Sequence, residues 1–588
     1  MARVTSDTAT QARHGEPVGE RAPTWRERLR RYGYAAPRPA DARDRLAPPF
    51  PPAGGSRVWG LFGLDSDDAR RLGRLAGWGG PVLVALLAGL LRFWNLGSPH
   101  AVIFDETYYA KDAWSLYKLG YEGTWPEGAN DTILDSPAAA PLSDAASYVV
   151  HPPVGKWVIA MGEAAFGLTP FGWRFMVAVL GTLSVLMLCR IGRRLFRSTA
   201  LGCLAGALLA VDGLHLVMSR TALLDLVLMF FVLAAFGCLL ADRDRARVRL
   251  AAALPDGRPD PSVGDRLRLG PRPWRLAAGI CLGLACATKW NGLYILAAFG
   301  VLTVLWDAGA RRAAGARHPY RSMLRRDAAP AFLSLVPVAG LVYLASWFGW
   351  FASRDGYFRT WAEGRRGLSP ERLPVPFTDG IELPQFDMTW VPAPLRSLWH
   401  YEAEVYSFHV GLTSGHTYQS HPWSWLVTAR PVSYFYESAE RGEDGCTAEG
   451  GCAREVLALG TPLLWWAACF ALLYCLYRWG LRRDWRAGAV LCGVAAGWLP
   501  WFLYQERTIF YFYAVVFVPF LCLAVAMTIG AVAGPPGSPE RRRVAGVVAS
   551  GVLVLLIVWN FVYFYPLYTG IQIPRDAWQD RMWLDTWI

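Results

Sequence analysis

About eleven stretches of this chain are apolar for long enough to cross a bilayer, near 77–97, 171–191, 200–218, 222–241, 274–289, 292–307, 330–351, 457–477, 487–504, 508–530 and 544–565. A hydrocarbon core about 30 Å thick takes about twenty residues of helix, and inside lipid every backbone N–H and C=O must find its partner within the protein. The fold class that follows is an all-α polytopic membrane protein with about eleven transmembrane helices. Composition points the same way. Of 588 residues 53% are hydrophobic and 18% charged, less charge than a soluble chain with several domains carries.

The connecting segments set the orientation. Arg190, Arg193, Arg194 and Arg197 follow the second stretch; Arg-rich loops run from Arg243 to Arg272, Arg311 to Arg326 and Arg478 to Arg486, and Arg541, Arg542 and Arg543 close the series. Every second loop is basic, which assigns these loops to the cytoplasm. The intervening loops are the opposite: residues 99–170 hold nine acids against three lysines and no arginine. A first external loop (98–170) and a long external loop (352–456) therefore face outward, with the N-terminus cytoplasmic and the C-terminus external. The net charge of +12 sits mostly on loops that face anionic lipid, and nothing in it calls for nucleic acid. Residues 1–72, rich in Arg, Pro and Ala, read as a disordered basic cytoplasmic tail, leaving 73–588 as the membrane domain. The first apolar stretch then serves as an uncleaved insertion signal.

Nine of eleven cysteines lie in or beside apolar stretches, as small packing residues do. Cys446 and Cys452 alone stand in the long external loop, where a flexible intervening segment and an oxidising exterior permit a disulfide. No Cys or His spacing suggests a metal.

The external segments and span ends carry the chemistry. Asp105 and Glu106 follow the first apolar stretch; two adjacent acids at a membrane exit mark a site or, equally, cap a helix. A stretch with Tyr, Trp and Leu on one side and Lys on the other, Tyr108 to Tyr121, suits a helix lying in the interface. In His151-Pro152-Pro153 the prolines impose a turn, and Lys156 after it places a cation at the membrane surface or merely snorkels. Arg92, Arg174, Arg220, Asp225 and Lys289 lie within or at the ends of apolar stretches. On this topology the four cations gather at the outer side beside Asp105, where they hold an anionic lipid phosphate or, taken singly, form structural pairs with Glu163 or Asp225.

Taken in order, Phe104-Asp105-Glu106-Thr107-Tyr108-Tyr109, His151-Pro152-Pro153-Val154-Gly155-Lys156, Gly172-Trp173-Arg174-Phe175, Ser219-Arg220-Thr221-Ala222-Leu223-Leu224-Asp225 and Ala287-Thr288-Lys289-Trp290-Asn291-Gly292 resemble the protein O-mannosyltransferases, in their bacterial branch that uses polyprenyl-phosphate mannose. His421-Pro422-Trp423-Ser424-Trp425 and Arg507-Thr508-Ile509-Phe510-Tyr511-Phe512-Tyr513 add to the resemblance, which runs from about residue 77 onward. Each motif is weak alone; their ordered sum is specific. The long external loop is too short for the β-trefoil of eukaryotic members, and Tyr511-Phe512-Tyr513 stands where many relatives have Tyr-His-Tyr.

The resemblance implies a C-type glycosyltransferase architecture, with external loops building the active site at the outer surface of the cell membrane. It implies transfer of mannose, with inversion, from polyprenyl-phosphate mannose to Ser or Thr hydroxyls of secreted or membrane proteins, with no cofactor and no metal; the protein translocation machinery is a candidate partner. It makes Asp105 the base and Glu106 a positioning group. Arg174, Arg220, Lys289 and Arg507 would bind the donor phosphate, and His151, Lys156, Asp225, His421 and Trp423 the substrates. Two alternatives stay open: a relative of the same fold moving another sugar to a lipid or glycan, and a lipid-linked-sugar transporter, against which the absence of a visible internal repeat counts.

Overall fold

The computed structural model describes residues 41–48, 66–367, 372–374, 380–383, 385–534 and 538–588. Eight helices among them are long and apolar enough to cross a membrane: Pro170–Phe196, Leu224–Ala252, Gly292–Ala313, Pro319–Ser346, Pro462–Gly480, Trp485–Leu503, Tyr511–Val532 and Glu540–Thr569. Three shorter apolar helices, Gly77–Phe93, Thr199–Ala210 and Pro273–Cys286, fall below that length. The protein is thus a mostly helical, multi-pass membrane protein with eight such helices among the described residues, not the eleven full-length spans expected.

One shortfall has a clear cause. The stretch expected to span over 200–218 breaks at Asp212, where Thr199–Ala210 ends and a new helix, Gly213–Met218, begins. The Asp212 carboxylate caps that helix by accepting from the His215 amide at 2.8 Å, and it also accepts from the Trp465 indole at 2.7 Å. Burying a carboxylate is costly unless its lone pairs are used, and here restarting the helix supplies one of the donors.

Small residues let these helices approach closely. Gly202 and Gly206, four apart on Thr199–Ala210, lie against Pro170–Phe196 so tightly that a Cβ on Gly202 would meet the Cys189 carbonyl oxygen at 2.4 Å, and one on Gly206 the Cys189 Sγ at 2.1 Å. Such small-xxx-small contacts supply the van der Waals association that lipid cannot drive hydrophobically. At one end of these helices Arg272 and Arg275 bind Asp242 and Asp307 in a compact network, with Arg272 to Asp242 at 2.6 Å and Arg275 to Asp307 at 2.5 Å. Two acids and two bases balance there.

Ala42–Leu46, inside the segment expected to be disordered, is a short helix. Ala42 and Leu46 pack with Ala246, Leu250 and Ala310, and Arg43 donates to the Leu254 carbonyl at 2.7 Å. Its single pair of apolar residues, Ala42 and Leu46, four apart around three charges, is too brief to stand out in the chain.

The two long connecting segments carry the remaining structure. A helix, Glu106–Leu119, follows the acidic pair, and Val154–Phe166 follows the two prolines. In the long loop lie a small hairpin of β1 (Arg372–Leu373) and β2 (Ile381–Glu382), the helix Ala393–Gly411, and a hairpin of β3 (Val432–Ala439) and β4 (Cys452–Ala458). β5 (Ile573–Pro574), after the last long helix, adds to β4 to give an antiparallel sheet in the order β3-β4-β5. Cys446 and Cys452 form a disulfide that closes the turn of the β3–β4 hairpin.

Candidate active site

Phe104 holds a positive φ of 47°, and Glu106–Leu119 begins two residues later. Asp105 occupies the N-cap position, yet its carboxylate makes no capping bond, leaving it free for other work. It is half-buried, and burial pushes its pKa up to about 6, with Lys289 pulling it down and Asp225 pushing it further up.

Glu106 does something different. It is fully buried and grips Arg174 in a two-bond pair, Nε to Oε1 and Nη2 to Oε2 both at 2.8 Å. Its oxygens also accept the backbone amides of Ile103 at 3.1 Å and Ala222 at 3.0 Å. Arg174 spends its other donors on the carbonyls of Pro99 and Ala101, each at 2.9 Å. The pair fastens the acidic loop to two other parts of the chain, and neither side chain has surface left for a ligand.

Arg220 is also committed. Its guanidinium donates to the carbonyls of Arg92 at 2.8 Å, Trp94 at 2.7 Å and Asn95 at 3.0 Å, tying off the end of Ser66–Phe93. The last carbonyls of a helix have no partner within it, and a cation there meets both the hydrogen-bonding need and the helix dipole. Arg92, deeper in the bundle, donates to Nδ1 of His215 at 2.7 Å. Lys156 is buried rather than at the membrane surface, because Pro152 and Pro153 start a helix instead of freeing the segment from one, and it pairs with Glu122. Glu163 pairs with none of these arginines: both its oxygens are buried without a hydrogen-bond partner among the described residues, and burial raises its pKa well above the usual carboxylate range.

The remaining cations do converge. Lys289 binds both oxygens of Asp225, at 3.0 and 2.9 Å, and lies over the Tyr513 ring at 4.2 Å. With Arg507, His151, His409 and Tyr504 it lines a cavity of about 330 Å³. His409 donates from Nε2 to the Val150 carbonyl at 2.8 Å, leaving Nδ1 to accept from Arg507 Nη2 at 3.1 Å. Burial and Arg507 hold the His409 pKa down to about 4, and burial and Lys289 hold His151, stacked on it at 5.1 Å, well below the usual histidine range. Both rings are neutral at physiological pH, so Arg507, whose Nε is buried without a bond, has no acid to answer it among the described residues. An unanswered guanidinium facing a cavity is suited to an anion.

His421 and Trp423 lie apart from this cavity, exposed, with their rings 6.5 Å apart. The residues between and after them anchor the segment: Pro422 accepts from the Trp498 indole at 2.8 Å, and Trp425 packs against Trp501 and Tyr513. His409 is a site residue that the motifs do not reveal, since a lone histidine on a helix gives no signal until Val150, next to the His-Pro-Pro motif, is seen to hold it. Tyr434, which stacks on Phe104 at 4.5 Å, belongs to Arg430-Pro431-Val432-Ser433-Tyr434, a segment that adds to the family resemblance without giving this tyrosine a role.

A carboxylate poised near neutrality beside an anion-receptive cavity, at the end of a membrane bundle, defines a membrane-embedded group-transfer enzyme. Residues 82–313 match the family model of dolichyl-phosphate-mannose-protein mannosyltransferase, and residues 394–587 that of the C-terminal four-transmembrane region of protein-O-mannosyltransferase. The polyprenol-phosphate-mannose–protein mannosyltransferase of Mycolicibacterium smegmatis is 42% identical over 526 residues, 88% of this chain and 94% of the relative. That of Mycobacterium tuberculosis is 40% identical over 528 residues, covering 88% and 93%. In structure the chain resembles the Saccharomyces cerevisiae protein O-mannosyltransferase Pmt1-Pmt2 complex bound to the sugar donor, with a TM-score of 0.63 at 16% identity over 87% of this chain and 92% of that one. The chain belongs to the protein O-mannosyltransferase family and is a glycosyltransferase.

Proposed function

We propose that the protein transfers mannose from polyprenyl-phosphate mannose to Ser or Thr hydroxyls of proteins at the outer face of the cell membrane, with inversion at the sugar carbon. The observation that carries the assignment of roles is that Lys289, held by both oxygens of Asp225, lines one cavity with Arg507, and that the charges of Lys289 and Asp225 act on Asp105. Asp105 takes the hydroxyl proton as the acceptor oxygen attacks the mannose C1; the bond from C1 to the phosphate oxygen breaks, and the negative charge left on the lipid phosphate is met by Arg507 and Lys289. A base with a pKa just below the working pH is ionised and still a competent acceptor. Fixed cations aimed at the leaving group stabilise charge where it develops.

The same geometry assigns Arg174, Arg220, Glu106 and Lys156 to support rather than to the donor, because their donors and acceptors are spent on the protein. His151 and Asp225 act at the cavity, Asp225 by holding Lys289. An apolar groove of about 770 Å³, lined by Leu302, Leu305, Trp306, Leu472, Leu491 and Trp498, suits the polyprenyl chain. It lies on the helix Gly292–Ala313, which also carries Leu293 and Tyr294 into the cavity, so phosphate and tail sites share one support. The three shorter apolar helices complete the crossing to eleven, with the N-terminus inside and the C-terminus outside.

Reconstituted protein given polyprenyl-phosphate mannose and a Thr-containing peptide is expected to produce a hexose-bearing peptide, read by mass spectrometry. Asp105→Asn keeps the shape and cannot accept a proton; it should insert and bind donor while losing transfer by about 10²–10⁴-fold. Parent-level turnover in that variant would remove Asp105 as base.

A further inference from the structure

We propose that the acceptor polypeptide binds as an added strand along the free edge of β3, which leads it to Asp105. The inference rests on the protein mannosyltransferase reading and names how that enzyme holds its acceptor. In the sheet order β3-β4-β5, β3 is an edge, and its backbone pairs with β4 from Val432↔Ala458 to Ala439↔Cys452. Among the described residues no hydrogen bond from any other element reaches its backbone. An edge strand with unused amides and carbonyls is a template for another chain, and natural proteins usually blunt such an edge with Lys or Pro. β3 reads Val-Ser-Tyr-Phe-Tyr-Glu-Ser-Ala, strong in strand formers, with neither Lys nor Pro.

One end of this edge is at the site. The register shifts between Ser433 and Phe435, so Tyr434 is the extra residue of a bulge, and its ring stacks on Phe104, the residue before Asp105. Bulges re-aim a side chain and end regular pairing, and they gather beside active sites. The other end is open: Tyr436, Glu437 and Ser438 are exposed. At about 3.3 Å per residue, the stretch from Tyr434 to Ala439 guides about five acceptor residues. Recognition through the backbone leaves the acceptor side chains largely unread, and it admits only segments that are extended when they arrive.

The test is a backbone N-methyl scan of an extended peptide with one Thr, assayed with the reconstituted full chain and polyprenyl-phosphate mannose. Residues of a bound strand turn their amides alternately toward and away from β3. Loss of kcat/KM by about 3–10-fold should therefore alternate with period two on one side of the Thr, each methyl on a facing amide deleting one hydrogen bond. Equal losses at every position, or losses confined to the Thr and its direct neighbours, would overturn strand addition. On the enzyme side, Glu437 and Ser438 present their own amides alternately, so one of Glu437→Pro and Ser438→Pro spares the β3–β4 ladder. That variant should raise KM for the long peptide about 3–10-fold and leave transfer to a blocked Thr tripeptide at the parent rate; an unchanged KM in both variants counts against the proposal. Failure of the parent enzyme to modify the unmethylated peptide would defeat the mannosyltransferase reading itself, whereas transfer with a flat scan defeats only the strand.

Discussion

Two groups of buried charge flank the start of the Glu106–Leu119 helix, and they are built on opposite terms. In the first, Glu106 and Arg174 satisfy each other and turn every remaining donor and acceptor to backbone. In the second, Lys289 answers Asp225 while Arg507 bonds a neutral histidine and lies over the Trp501 ring, with no acid paired to it among the described residues and a cavity in front of both cations. Both groups set basic side chains beside acidic ones. What separates a structural charge from a functional one is whether its hydrogen-bonding capacity is used up inside the protein.

The comparison can be broken by mutation. Arg174→Ala leaves Glu106 charged and unpaired in the interior, so it should cost about 3–5 kcal/mol of stability, seen as a lower thermal midpoint in detergent. If it instead unfolds at the parent temperature and loses only turnover, the two groups are not different in kind. Arg507→Ala should do the reverse: unchanged thermal midpoint, and kcat lower by about 10²–10³-fold with a smaller change in donor KM. Arg507→Lys should recover part of that loss, short of the two-pronged contact a guanidinium makes. A fall in melting temperature with no change in kcat would move Arg507 into the first group.

The smallest expected effect sharpens the boundary between them. Asp105 must be ionised to act, so with a pKa of about 6 transfer should rise through pH 6 and level off above it, about a tenth of the carboxylate being ionised at pH 5. Lys289 lowers this pKa and Asp225 raises it. In a kcat/KM profile against pH, Lys289→Ala should shift the acid limb upward and Asp225→Asn downward. No movement in either variant would detach Asp105 from the cavity.

Much of this is legible in the chain before any fold is known, for reasons that differ by feature. Long apolar runs such as 544–565 declare themselves because lipid demands an unbroken helix. The acidic pair declares itself by the cost of its position. The proposed phosphate ligands do not. Arg174, Arg220 and Arg507 are equally basic in sequence, and only the carbonyls of Pro99, Trp94 and Asn95, brought near by folding, show that the first two are already occupied. The same holds for Lys156, whose partner Glu122 lies in a part of the loop with no motif. Asp212 hides in the opposite way: one acid within an apolar run reads as tolerated, whereas the fold breaks the helix to accommodate it.

The Glu106 carboxylate joins three stretches that leave the ribosome far apart in time: its own loop, Arg174, and the Ala222 amide. Arg507, which completes the cavity, is made later still. A nascent chain thus carries the Asp105 loop well before that loop has a fixed shape, and the last cation of the cavity arrives only near the end of synthesis. Unfinished or truncated copies would be inserted yet inert, so that the bilayer accumulates no half-built enzyme able to discharge its lipid-linked sugar to water.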